Sequence, residues 1–93
     1  IMSVHPPVTD RELKFPVDWE FRIIVDAAAA DTARPAIIAC VEKHGIDPAI
    51  HDGLDSKQGR YHSFKVPVLL TDREMMNRLA GEFAAIEGVK FVL

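Results

Sequence analysis

From Trp19 to Asp26 the chain alternates, with Trp19, Phe21, Ile23 and Val25 on one side and Glu20, Arg22, Ile24 and Asp26 on the other. A period of two is that of a strand with one buried face. A second alternating run, Tyr61–Leu70, puts His62, Phe64, Val66, Val68 and Leu70 inward and Tyr61, Ser63, Lys65, Pro67 and Leu69 outward. Pro67 has no N–H to give a ladder, so there the strand is expected to lack a partner on one side or to carry a bulge. A short strand within Pro48–Leu54, with Ile50 and Leu54 inward, reads as a sheet edge. At the end Val89, Phe91 and Leu93 alternate with Lys90 and Val92, and the last two are assigned to the outer face.

Between the strands the apolar spacing changes to three and four. Ala33, Ile37, Cys40, Val41 and His44 form one stripe, on a helix expected to be capped by Asp31 or Thr32, to hold Pro35 in its first turn and to stop at Gly45. Met75, Met76, Leu79, Phe83 and Ile86 form another, and Gly88 ends it. Thr71-Asp72-Arg73-Glu74 before it reads as a capping box, Thr71 and Glu74 each satisfying an orphaned N–H. The order strand, helix, strand, strand, helix, strand predicts an α+β fold: a ferredoxin-like βαββαβ sandwich with a four-stranded antiparallel sheet. Right-handed crossovers put the first and third strands in the centre, with two helices on one face and the other face open. Residues 1–14, with Pro6 and Pro7, read as a flexible leader, and residues 15–93 as a single domain on which Phe15 is the anchor.

Composition narrows the function classes. Ninety-three residues, 48% apolar and 27% charged, suit one core without disulfides. A net charge of −3 argues against a nucleic-acid partner, whose affinity depends on Lys and Arg displacing counterions. Cys40 is the single cysteine, which fits a reducing compartment and an expected cytoplasmic location. No apolar run approaches the ~20 residues of a membrane span.

The candidate chemistry is thin. The loop after the first strand, Ala27–Ala30, has no glycine to cradle a phosphate, and Arg34 beyond it reads as a surface arginine. Cys40 and His44, at i and i+4, face the same way, but two ligands without carboxylate or imidazole support make a weak metal site. Neither a metal nor a cofactor is expected, and His51-Asp52 reads as a polar edge strand. Adjacent His62 and Ser63 project to opposite faces and cannot pair. Ser56, His62 and Asp55 meet only across the turn, where hydroxyls ordinarily bond turn backbone. Tyr61 is the only aromatic residue assigned to the outer face, too few for an RNA-stacking sheet.

Three segments carry a resemblance: F-P at Phe15-Pro16, S-K-Q-G-R-Y-H-S at Ser56–Ser63 and V-K-F-V-L at Val89–Leu93. In their order and spacing, the chain from Lys14 onward resembles the YbeD-like family of small bacterial proteins. The resemblance implies a ferredoxin-like sandwich akin to ACT regulatory domains, which bind small molecules, often amino acids, at subunit interfaces. The family's hairpin reads Ser-Ser-basic-Gly-x-Tyr-x-Ser. Ser56, Gly59, Tyr61 and Ser63 match it, whereas Lys57 and Gln58 depart and remove the second hydroxyl.

Residues and resemblance together suggest a non-enzymatic regulatory or adaptor domain. It would bind a protein partner or a small metabolite through the open face and the 55–63 hairpin, using Arg22, Ser56, Lys57, Gly59, Arg60, Tyr61, Ser63 and Lys65. The mixed polar and aliphatic character of that face also suits a homodimer. Two alternatives stand beside this reading: an anion-handling hydrolase using Arg34, Ser56 and His62, and single-stranded RNA binding.

Overall fold

The computed structural model describes residues 13–56 and 58–93. The expected leader, apart from Leu13 and Lys14, lies outside the described residues. Strand β1 (Val17–Asp26) passes through a 3-10 turn at Ala27–Ala29 into helix α1 (Ala30–Lys43). Then come β2 (His51–Asp52), β3 (Tyr61–Leu70), α2 (Arg73–Ala84) and β4 (Val89–Val92). The sheet order is β2-β3-β1-β4 and every pairing is antiparallel, so the fold is the ferredoxin-like sandwich with β1 and β3 in the centre.

Those two strands match over their whole length, from Val17 opposite Leu70 to Asp26 opposite Tyr61. Their shared parity buries Phe21, Ile23 and Val25 against Phe64, Val66, Val68 and Leu70. Ala33, Ile37 and Val41 of α1 and Leu79 and Phe83 of α2 close the same core from above, and Phe21 meets Phe83 edge to face at 5.2 Å. Both helices therefore cover one face, and the other is left open. Phe15 packs at the margin of this core with the Arg73 guanidinium over its ring. Pro67 is exposed opposite Glu20, and β2 reaches β3 only at Phe64 and Lys65, so no second ladder passes Pro67.

Four local expectations are corrected. Helix α1 begins at Ala30, ahead of Asp31 and Thr32, because the alanine run is itself a strong helix former; its cap, Ala29, makes no side-chain bond. The Thr32 hydroxyl donates instead to the Ala29 carbonyl at 3.0 Å, and Pro35 falls past the first turn. In α2 the cap is Asp72, whose carboxylate accepts from the Met75 amide at 2.8 Å, while the Thr71 hydroxyl points at the Met75 sulfur. Glu74 then sits in the first turn, where a carboxylate favours the positive helix end.

Strand β2 is only two residues long. Ile50 packs on the core as expected, but Leu54 is 88% exposed. In β4 the pairing to β1 shifts between Ile24 and Val25: Val92 lies opposite Ile23, Phe91 opposite Ile24, and Val89 opposite Val25. Lys90 is the additional residue, a bulge that puts both Val89 and Val92 on the core side. Phe91 and Leu93, expected inward, are 58% and 60% exposed on the open face. Gly88 just before β4 has φ +92°, and a β-carbon there would stand 2.5 Å from that of Ala29. Among the described residues no helix is long and apolar enough to cross a membrane.

Candidate functional site

The open face is organised around Arg22 and Lys65, directly opposite each other on β1 and β3. Ser63, two residues before Lys65 and on the same face, lies opposite Ile24. Arg22, Ser63 and Lys65 line a pocket of about 130 Å³ whose fourth wall is Leu54. Gly53 sets that wall: its amide donates to the Ser63 carbonyl at 2.7 Å, and a β-carbon there would press within 3.0 Å of that of Ser63. With any other residue there, Ser63 would have to give by a few tenths of an ångström for the chain after β2 to run this close to β3. Among the described residues neither Arg22 nor Lys65 has a carboxylate within ion-pair distance; Asp26, on the same face, pairs with Lys90 at 3.5 Å.

The hairpin residues divide by role. The Ser56 hydroxyl accepts from the amides of Arg60 and Tyr61 at 3.0 and 3.1 Å, and the Ser56 carbonyl accepts from the Gly59 amide at 3.0 Å. Gly59, at φ +71°, supplies the left-handed bend. Ser56 and Gly59 thus build the turn. Arg60 is exposed at its tip, and Tyr61 is half-buried at the start of β3, one step along the open face from Ser63 and outside the pocket lining. Lys57 lies outside the described residues.

On the helical side of the same hairpin His62 is held between two carboxylates, Asp55 at Nδ1 and Asp52 at Nε2, the latter at 2.9 Å. Asp52 also receives the Arg34 guanidinium, which lies 5.0 Å from the centre of the Phe64 ring. Partial burial works against charging the imidazole, but the hydrogen bonds to Asp52 and Asp55 prevail and raise its pKa. The bonds from His62 and then Arg34 lower that of Asp52. With both ring nitrogens engaged by carboxylates and the Ser56 hydroxyl committed to backbone amides, the Ser56–His62–Asp55 arrangement does not assemble as a nucleophile with its base. The Asp52 and Arg34 contacts escape sequence reasoning because they join residues 18 apart on a helix and an edge strand.

The family model described as "Protein of unknown function (DUF493)" matches residues 10–93. The chain belongs to the DUF493 family. A UPF0250 protein of Shewanella loihica is 37% identical over 81 residues, covering 87% of this chain and 90% of the relative. One from Shewanella putrefaciens is 34% identical over 84 residues, covering 90% and 93%. Among solved structures, protein HP0495 from Helicobacter pylori superposes with a TM-score of 0.72 at 17% identity, over 98% of both chains. The C-terminal domain of the MgtC protein from Mycobacterium tuberculosis gives 0.65 at 18% identity, over 87% of this chain and 88% of that one. These likenesses agree with the fold, and the family match agrees with the YbeD-like resemblance of the sequence.

This DUF493 chain carries a third cluster, between the two helices. The Cys40 thiol donates to Glu82 Oε1 at 3.3 Å, and His44 Nε2 and Lys43 Nζ reach the same oxygen at 2.9 and 3.1 Å. The bonds from His44, Lys43 and Cys40 hold Glu82 down at about 2. Burial first, and the bond to Glu82 second, push the Cys40 thiol up to about 11. Cys40 is therefore a protonated, poorly nucleophilic thiol at neutral pH. The carboxylate that Cys40 and His44 lacked in the sequence is present, contributed by α2. No local spacing reveals it, since Glu82 is 42 residues from Cys40.

Proposed function

We propose that this DUF493 domain is a non-enzymatic binding module that takes a carboxylate-bearing ligand on its open sheet face, between Arg22, Ser63 and Lys65. One observation carries the reading: two cations directly opposite in the ladder, with no counter-ion among the described residues, beside a hydroxyl and a pocket. Like charges so placed destabilise a sheet. An anion bridging them removes that cost and gains charge-assisted bonds, bidentate ones from the planar Arg22 fork.

The exposed Leu54, Phe91 and Leu93 give the site an apolar surround. An apolar wall with a few convergent polar groups is the usual composition of a small-molecule site. Arg60 and Tyr61 extend it along the hairpin. The source of the carboxylate is a free metabolite, as the likeness to ACT domains suggests, or an acidic side chain of a partner protein. In either case the domain serves regulation or adaptation, and the lone thiol suits a reducing, cytoplasmic setting.

Thermal scanning against free amino acids, dicarboxylates and short acidic peptides tests this. Ligand at 100 times its Kd stabilises by about 2.7 kcal/mol, a readable rise in Tm. The rise is expected for the native chain and not for the Arg22→Ala/Lys65→Ala variant. Free acids and peptides separate the two sources. An equal rise in the double variant would overturn the proposal.

A further inference from the structure

On the helical side, away from the open face, we propose that Cys40, His44 and Glu82 form a binding site for a zinc-class divalent cation that ties α1 to α2. One sulfur, one imidazole nitrogen and one carboxylate oxygen, the three donor types that zinc takes from proteins, lie within 4.8 Å of one another. The i, i+4 spacing of Cys40 and His44 puts both on one side of α1, and α2 brings Glu82 to them.

Bond lengths of about 2.0–2.3 Å around a tetrahedral zinc place its ligand atoms roughly 3.3–3.6 Å apart. The observed separations, 3.3 Å from the Cys40 sulfur to Glu82 Oε1 and 2.9 Å from His44 Nε2 to the same oxygen, open by a few tenths of an ångström, and the Cys40 sulfur and His44 Nε2, within 4.8 Å of each other, settle to about 3.5 Å. All three residues are half-buried, so the donors are held but reachable.

Entry and a fourth coordination position are also provided. Cys40 and Glu82 line a groove of about 370 Å³ between the helices, whose other walls include the small side chains of Ala36, Ala39 and Ala85. Methyl groups leave room for a water or an external ligand on the metal, the arrangement of an open site. Thiolate and imidazole together select zinc-class ions over magnesium or calcium. When the metal–sulfur and metal–nitrogen bonds form, the Cys40 thiol proton passes to solvent, and the Nε2 proton that His44 gave to the Glu82 bond leaves as well, the neutral ring taking its one proton on Nδ1. Lys43, 65% exposed at its side chain, swings away from Glu82.

The test is titration of the full chain with cobalt(II) alone, followed through its thiolate-to-metal charge-transfer absorption, and then displacement by zinc. One equivalent is expected to bind. Cys40→Ser should abolish the charge-transfer band. Loss of an outer-shell partner costs metal sites about 10–100-fold, so His44→Ala and Glu82→Gln, which remove ligands, should weaken binding by about 100-fold or more. Lys43→Ala should tighten it, and His51→Ala, remote on β2, should leave it unchanged. For the native chain, which requires no variant to fold, zinc should protect Cys40 from alkylation. Absence of the charge-transfer band and of protection at saturating metal would overturn the proposal, as would unaltered affinity in folded Glu82→Gln. None of these readouts involves Arg22 or Lys65, so this site and the open-face site stand or fall separately.

Discussion

Arg22 and Lys65 stand opposite each other across the β1–β3 ladder, a pair of cations where antiparallel sheets ordinarily set opposite charges. A surface selected for stability alone would not keep them so. Replacing Lys65 by glutamate turns the repulsion into a cross-strand ion pair. Lys65→Glu should therefore stabilise the domain by about 0.2–1 kcal/mol in urea unfolding while abolishing any carboxylate-dependent rise in Tm. Stability and ligand response moving in opposite directions is the signature of a site; both falling together would mark the pair as structural.

Gly88 tests the packing of the 3-10 turn ahead of α1 against the residue that leads into β4. Its φ of +92° disfavours any side chain, and its missing β-carbon makes room for Ala29. Gly88→Ala is expected to cost about 1–3 kcal/mol or more. Ala29→Gly in the same chain should recover the part due to the clash but not the part due to backbone conformation, so a double-mutant cycle by urea denaturation separates the two. Full recovery would show that φ contributes nothing.

The His62 cluster gives the domain a pH signature. His62 has a raised pKa, so its contribution is complete below the ordinary imidazole value of 6.5 and fades as pH rises through the raised value. Asp52 has a lowered one, so its contribution is complete above 3.8 and is lost as pH falls through the lowered value. The cluster is therefore at full strength between those two ordinary values. His62→Gln should flatten the alkaline fall in unfolding free energy, measured between about pH 5.5 and pH 9. An unchanged fall would place its origin elsewhere.

Glu82 governs the acid side. Held at about 2 against an ordinary 4.5, it stabilises fully above 4.5 and loses that contribution as pH drops toward 2. Glu82→Gln should be less stable than the native chain at neutral pH, with the difference shrinking as acid is added. Denaturant midpoints at several acid pH values would show it, and a constant difference would contradict the assignment.

The sequence was legible where strands were regular. Both faces of β1 and β3 follow from alternation alone, because their register runs without a break from Val17–Leu70 to Asp26–Tyr61. At β4 the same rule failed beyond Lys90: a one-residue bulge reverses parity, and nothing in V-K-F-V-L announces it. Caps missed by a residue or two because Thr71 and Asp72 are both competent, and the extended backbone of Asp72, at φ −162°, decides between them. The alanines before Asp31 extended α1 backward. At the open face the outward parity of Arg22, Ser63 and Lys65 was readable, but their convergence with Leu54 depends on the close passage at Gly53. The contacts of Asp52 with Arg34 and of Glu82 with Cys40 join distant segments and needed the fold.

The most direct measurement is a titration of the 15N-labelled domain with glutamate, and separately with an aspartate-rich peptide, followed by amide chemical shifts. Saturable shifts are expected at Arg22, Gly53, Leu54, Ser63 and Lys65, lost in Arg22→Ala, with the amides of Ala36, Ala39 and Cys40 unmoved. Shifts confined to the helical face, or persisting unchanged in Arg22→Ala, would contradict the account.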